Sequence, residues 1–219
     1  MEVNLLRWTE VFKVLIFDLD ETLYSSEKLR LMMRQFFFDY VTKHSDLSIQ
    51  ELLNLQEVHG MRKTCQIIGF DFVSYLDVLS ANIDPYPHVK PYQPLRPLLE
   101  NLKSWFNLRY FVVTHNSEKL AHKIINAISL DGKLFEAIVT PETLEICFDK
   151  YHKEFWEAFC EEYGIDPNQC LAVGDRLKTD IEAPAKAGIT AGFLVHNGPR
   201  DISSKLIPTL QQLAHQKKP

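Results

Sequence analysis

Val14-Leu15-Ile16-Phe17-Asp18-Leu19-Asp20-Glu21-Thr22-Leu23-Tyr24 is the stretch on which the reading of this chain turns. A short apolar run of strand character stops at an aspartate. A second aspartate stands two residues on, and a threonine two further. Strands buried in a parallel sheet read as continuous apolar runs, and ligands gather where such strands end, at their carboxyl edge. Two carboxylates at that edge need partners, and the flanking sequence supplies them.

Upstream, residues 1–10 read as a short leader, and the strand is expected over Val11 to Phe17, broken only by Lys13. Downstream, Asp18 to Ser26 reads as a turn. Leu29, Met32, Met33, Phe36, Phe37, Tyr40 and Val41 then recur every three or four residues, which predicts a helix from Glu27 to His44. Ser48 followed by Glu51 is a capping-box pattern ahead of Leu52, Leu53, Leu55 and Val58. Gly60 and Gly69 punctuate the segment, and Phe72, Tyr75, Leu76 and Leu79 make another helical face. No strand pattern occurs between residues 25 and 84. Proline is dense from Asp84 to Pro94, which favours an extended, semi-rigid connector. Residues 25–88 therefore read as an all-helical insert with this connector as its return hinge, and residues 1–24 and 89–219 as the core.

Past the hinge, helix and strand alternate. Leu95 to Phe106 is predicted helical, Tyr110 to Val113 a strand ending at Thr114, Ser117 to Ile128 a helix and Ala137 to Val139 a strand. Tyr151 to Tyr163 carries an aromatic every fourth residue. Leu171 to Val173 runs as a strand into Gly174-Asp175. A short helix is expected over Thr179 to Ala187, a strand over Gly192 to Val195 and a last helix near Thr209 to His215. Such alternation with right-handed crossovers gives an α/β fold, a three-layer Rossmann-like parallel sheet with helices on both faces.

Composition bounds the function. Of 219 residues 46% are hydrophobic and 24% charged, enough for a sizeable core. The net charge of −5, without a basic tract, argues against a nucleic acid polymer as partner. No apolar run approaches the roughly 18 residues of a membrane span. Cys65, Cys147, Cys160 and Cys170 are scattered without metal-site spacing and read as reduced thiols. Met1 to Glu10 lacks the basic-then-apolar order of a secretion signal, so a cytoplasmic location is expected.

The strand ends carry the chemistry. Asp18 and Asp20 follow the first, Thr114 the second and Asp175 the fourth, with Lys150 in the connection between the third and fourth. Three carboxylates converging on one edge repel unless a cation neutralises them. Oxygen-only ligands in an open cleft suit Mg²⁺, which keeps positions for water and phosphate. Thr114, His115, Asn116 and Ser117 at a helix start offer hydroxyl and N–H donors to an anion, and Lys150 adds a compact positive charge.

Together these segments resemble the four motifs of the haloacid dehalogenase-like hydrolases. Motif one matches Asp18-Leu19-Asp20-Glu21-Thr22, motif two the strand ending in Thr114, and motif three Lys150, fourteen residues before Gly164. Motif four matches Gly174-Asp175 through Thr179-Asp180, running on to Ala187-Gly188. Lys153 is the other lysine near motif three, but the spacing favours Lys150. The helical insert behind motif one resembles the C1-type cap. Leu23-Tyr24 before it and His59-Gly60 inside it are similar to the pyrimidine 5′-nucleotidase-like branch, although motif four lacks the paired aspartates of that branch.

The resemblance implies a Mg²⁺-dependent phosphatase of a small phosphorylated metabolite, with Asp18 as nucleophile and Asp20 as general acid and base. It implies metal ligation by the Asp18 and Asp175 carboxylates and the Asp20 backbone carbonyl, with Asp180 completing or orienting the shell. Thr114 and Lys150 would hold and neutralise the phosphoryl group, with Thr22, His115 and Asn116 on the substrate side. Asp20 argues against dehalogenation. Glu21 stands where a small or amide residue is common, His115 where asparagine often follows the motif-two residue, and Thr179 where asparagine is frequent. A nucleoside monophosphate is the first substrate expected, a phosphorylated sugar or acid the second. His59, Arg62 and Lys63 in the cap face either substrate or solvent. The alternatives are a phosphomutase and, from another class, a catalytically weak phosphate-sensing or partner-binding module.

Overall fold

A computed structural model describes residues 11–43, 45–144 and 150–216. Five parallel strands lie in the order β3-β2-β1-β4-β5: β1 (Val14–Phe17), β2 (Arg109–Val113), β3 (Ala137–Val139), β4 (Cys170–Gly174) and β5 (Ala191–Leu194). Central β1 is buried along its whole length, as a strand with neighbours on both edges and helices on both faces must be.

Side chains alternate between two cores. Leu15, Phe17, Tyr110, Val112, Leu171 and Val173 pack on one face of the sheet. Val14, Ile16, Phe111, Val113, Cys170 and Ala172 pack on the other with Phe155, Trp156 and Phe159. This period of two builds three layers from one sheet.

Between β1 and β2 the described chain is helical: α1 (Glu27–Thr42), α2 (Ile49–Ile67), α3 (Phe72–Asn82) and α4 (Leu95–Phe106). The box expected at Ser48 forms, with Ser48 and Glu51 bonding each other's backbone. Gly60 breaks α2 at φ 75°, a left-handed conformation that glycine adopts without a Cβ clash. The apolar cluster of the core runs on through Leu19, Leu23 and Tyr24 to Leu29 and Phe37 of α1 and to Tyr75 and Leu79 of α3. After β2 come α5 (Glu118–Ala127), α6 (Lys153–Glu162), a short α7 (Ala183–Lys186) and α8 (Pro199–Gln216).

Three expectations shift. The leader lies outside the described residues, and the first strand begins only at Val14, because Lys13 is exposed while Val14 to Phe17 are buried. The helix expected over Thr179 to Ala187 is a wide π turn, Leu177–Glu182, followed by α7 with Pro184 in its first turn, where no N–H is needed. The last helix starts at Pro199, ten residues earlier than its apolar pattern announces. Pro208 sits inside it, and buried Ile202, Leu206 and Leu210 on one stripe hold it to the core. No described helix is long and apolar enough to cross a membrane. Cys65, Cys160 and Cys170 are buried, and Cys147 lies outside the described residues.

Candidate active site

The strand register sets the site. Phe17 stands level with Val112 of β2 and Val173 of β4, so Asp18, Thr114 and Asp175 emerge within a residue of one another at one edge. The Asp18 N–H still bonds Val173 O at 2.8 Å, and Thr114 N–H bonds Val139 O at 3.0 Å. The ladder thus holds the backbone of both residues while their side chains leave the sheet.

Lys150 lies at the centre of the charge. It is 3% exposed, and its ammonium donates to Asp18 Oδ1, to Asp180 Oδ1 at 2.9 Å and to Val113 O at 3.3 Å. Those three acceptors use the three donors an ammonium has. The indole N–H of Trp156 bonds Lys150 O at 3.1 Å and anchors the loop that delivers the lysine. Lys153, the other motif-three lysine, lies on the surface paired with Glu157 at 3.1 Å.

Asp18, Asp175 and Asp180 each bring a carboxylate oxygen within 4.8 Å of the others. Burial, with Asp180 and Asp20 adding to it against the pull of Lys150, pushes the Asp18 carboxyl up to about 8. Burial also raises Asp175. Burial opposes the charge of Lys150, but Asp18 and Asp180 hold its ammonium above the ordinary lysine value. Three acids against one buried lysine leave a deficit of positive charge that a hard divalent cation fits, and the donor set is oxygen only. The Arg176 guanidinium contributes further attraction toward Asp18, Asp175 and Asp20.

Asp180 holds its place by three bonds. Its Oδ1 accepts from Thr179 Oγ1 and from Lys150, both at 2.9 Å, and its Oδ2 accepts from Arg176 N–H at 2.9 Å. With both oxygens engaged it is suited to orienting the cluster, the second of the two roles expected of it. A Cβ on Gly174 would lie 2.3 Å from Asp180 Oδ2, so only glycine admits this packing.

Asp20 is set apart. Its Oδ1 accepts from the Tyr24 hydroxyl, and its Oδ2 from Asn116 Nδ2 at 2.8 Å and Thr114 Oγ1 at 3.4 Å. Its carboxylate is not in the three-aspartate cluster. Burial, then Asp20 itself, keeps the Tyr24 phenol well above its usual value, so it stays a donor. The sequence reading gave Tyr24 no role at Asp20; the signal for one was its place four residues after that aspartate.

Thr22 differs from expectation. It is fully buried and donates to Asp18 Oδ2 at 3.3 Å, so its hydroxyl holds the carboxylate instead of reaching substrate. Asn116 is buried, with its N–H on Thr114 Oγ1 at 3.2 Å. His115 lies against the Tyr151 ring, and its Nε2 is out of solvent with no hydrogen-bond partner among the described residues. Burial, then Lys150 and Arg176, holds the imidazole well below its usual value, so it is neutral. Glu21 folds back on the turn. It accepts from Ser25 Oγ at 2.5 Å and Ser26 N–H at 3.2 Å.

From the helical insert, Arg62 Nη2 reaches Pro141 O at 3.4 Å across to the loop after β3, and Lys123 of α5 bonds Ser80 O of α3 at 2.8 Å. Lys63 is exposed and bonds Gln66 at 3.4 Å. A groove of about 770 Å³ runs elsewhere, along α1 between Leu31, Met32, Phe38 and Ile49. None of the site's carboxylates lines it.

Residues 12–188 match the family model of the haloacid dehalogenase-like hydrolases. A glyceraldehyde 3-phosphate phosphatase of Methanopyrus kandleri is 26% identical over 82% of this chain and 82% of its own. One from Methanocaldococcus jannaschii is 24% identical over 93% of this chain and 96% of its own. Among solved structures, CbbY from Rhodobacter sphaeroides, in complex with phosphate, superimposes with a TM-score of 0.61 at 16% identity, covering 85% of this chain and 88% of its own. That likeness is one of fold.

Proposed function

The chain belongs to the haloacid dehalogenase-like hydrolases, and from that premise we propose that it is a Mg²⁺-dependent phosphatase of a small phosphate monoester. The observation that carries the reading is the separation of the two aspartates. Asp18 is paired with a buried lysine inside the acidic cluster, whereas Asp20 is held outside it by neutral donors. Two carboxylates in such different surroundings suit two different jobs.

Asp18 attacks phosphorus and becomes an aspartyl-phosphate, while Asp20 gives its proton to the leaving alcohol oxygen. Asp20 then accepts a proton from the water that cleaves the intermediate, releasing phosphate and restoring Asp18. Lys150 and the donors around Thr114 and Asn116 stabilise the phosphoryl oxygens, positioning being most of the catalysis in such transfers. Asp18, Asp175 and the Asp20 backbone carbonyl would hold Mg²⁺, with Asp180 orienting them. When bound, Mg²⁺ supplies positive charge against the phosphoryl group and the acidic cluster.

We read residues 25–88 as a C1-type cap on a core of residues 1–24 and 89–219. Such a cap admits a small metabolite and excludes a bulky one. A short sugar phosphate heads the substrate panel, because the two curated relatives are named for glyceraldehyde 3-phosphate. Nucleoside monophosphates follow.

Released phosphate, measured over such a panel, is expected with Mg²⁺, absent in EDTA and restored by added Mg²⁺. Asp18→Asn should lower turnover by roughly three orders of magnitude. Turnover persisting at the wild-type rate in purified Asp18→Asn would refute the nucleophile assignment.

A further inference from the structure

Tyr24 takes no part in the steps just described, yet it is 2% exposed and commits its hydroxyl to Asp20 Oδ1. A buried phenol needs a partner, and here the partner is the carboxylate assigned the proton transfers.

The turn is built to bring the two together. Glu21 adopts φ 56°, one of three non-glycine residues with positive φ among the described residues. This conformation is strained for an L-residue with a Cβ. The cost is offset by the bonds Glu21 accepts from Ser25 and Ser26. Leu23 N–H bonds Leu19 O at 3.0 Å and closes the turn, so Tyr24 comes back over Asp20. From behind, the loop after β5 presses on it: a Cβ on Gly198 would lie 3.3 Å from Glu21 O and 3.5 Å from Tyr24 O. The tyrosine is therefore held from the backbone outward.

A carboxyl group rotates about its last torsion unless both oxygens are held. Asn116 and Thr114 address only Oδ2, from the loop after β2. Tyr24 donates to Oδ1, from the turn after β1. We propose that Tyr24 is a positioning residue for proton transfer, fixing the plane of the Asp20 carboxyl so that it faces the leaving-group oxygen. The proposal rests on the phosphatase reading above.

The test is leaving-group dependence. An alkyl alkoxide needs a proton to leave, whereas a dinitrophenolate departs without one. The ratio kcat/KM covers only the steps through formation of the aspartyl-phosphate, where Asp20 acts as acid. Tyr24→Phe should therefore lower kcat/KM by roughly 10- to 100-fold for the alkyl phosphate that the wild type hydrolyses best. For 2,4-dinitrophenyl phosphate it should change by less than about threefold. Tyr24→Met, a flexible apolar side chain without a hydroxyl, should give the same ester ratio and guards against a folding defect peculiar to one variant. In an Asp20→Ala background, Tyr24→Phe should change alkyl ester turnover no further, since both act through one group. Tyr86→Phe, at an exposed tyrosine of the hinge, should leave both esters unchanged.

Equal losses on the two esters, an unchanged ratio, or an undiminished Tyr24→Phe effect without Asp20 would each overturn the positioning role while leaving the phosphatase reading intact. A wild type that hydrolyses neither ester with Mg²⁺ overturns both.

Discussion

Replacing Lys150 by methionine keeps the unbranched stem, shorter by the terminal atom, and deletes its charge, which isolates what the buried ammonium does. Its Nζ serves Asp18, Asp180 and Val113 O together at 3% exposure. Without it, two carboxylates face each other with water excluded. Removing one partner of a buried ion pair costs about 3–5 kcal/mol. For a chain of this size each kcal/mol lowers Tm by about 2–4 °C. Melting of Lys150→Met in EDTA should therefore fall about 6–20 °C below the wild type. Mg²⁺ should then raise the variant's Tm more than the wild type's, because the cation takes over neutralisation that the lysine no longer provides; saturation at about a hundred times Kd is worth about 2.7 kcal/mol. Lys150→Arg should not restore the wild-type Tm, because a planar fork of donors does not match three acceptors arranged for an ammonium. Calorimetry of the three proteins, with and without Mg²⁺, checks this. A Lys150→Met protein melting within about 2 °C of the wild type in EDTA would refute the claim that the acids depend on this lysine.

Gly174→Ala places a Cβ 2.3 Å from Asp180 Oδ2 and 2.4 Å from its Cβ, so Asp180 must leave its bonds to Arg176 N–H and Lys150. We expect a loss of about 1–3 kcal/mol of stability and Mg²⁺ affinity at least about tenfold weaker by titration calorimetry; unchanged affinity would show that Asp180 does not orient the cluster. Asp201 accepts from Lys205 Nζ and His196 N–H, both at 2.8 Å, and from Asn197 N–H at 3.1 Å, and these donors hold its carboxyl well below the usual range. A folded-state value below the unfolded one contributes stability above the unfolded value of about 3.9 and loses it as pH falls through the folded value. Asp201→Asn should thus be less stable than wild type by about 1–2 kcal/mol at pH 7, with the gap narrowing below about pH 4. A gap in Tm that stays constant from pH 7 to pH 3 would contradict this.

Much of the fold was legible because burial is written locally. Val14 to Phe17, Tyr110 to Val113 and Leu171 to Val173 are apolar at every position, and only a strand covered on both faces uses such runs. The helices between β1 and β2 were legible through the spacing of their apolar residues and the Ser48 box. The start of the last helix was not: Pro208 looks like a terminator, and burial of Ile202, Leu206 and Leu210 overrides it. The π turn before α7 was hidden for a similar reason, since Asp180 must stay beside Lys150 while Pro184 begins the next helix.

By itself the sequence determined that Asp18, Asp20, Thr114 and Asp175 stand at strand ends and Lys150 in the connection between the third and fourth strands, because residue type and strand periodicity are properties of adjacent positions. Only the tertiary structure decided what each side chain does there. Lys150 meets Asp18 across 132 positions of chain, and Thr22 turns inward to Asp18 instead of outward to substrate. The stretch around Asp18 shows the same division within eleven residues. Its two aspartates were visible as a pair, but their separation was not. That depends on a left-handed Glu21 held by its own hydrogen bonds, with the Gly198 loop packed against its backbone, and on a tyrosine turned back onto Asp20. Hydrogen bonds select among rotamers and backbone states that a sequence leaves equally open, and their partners come together only when the chain is packed.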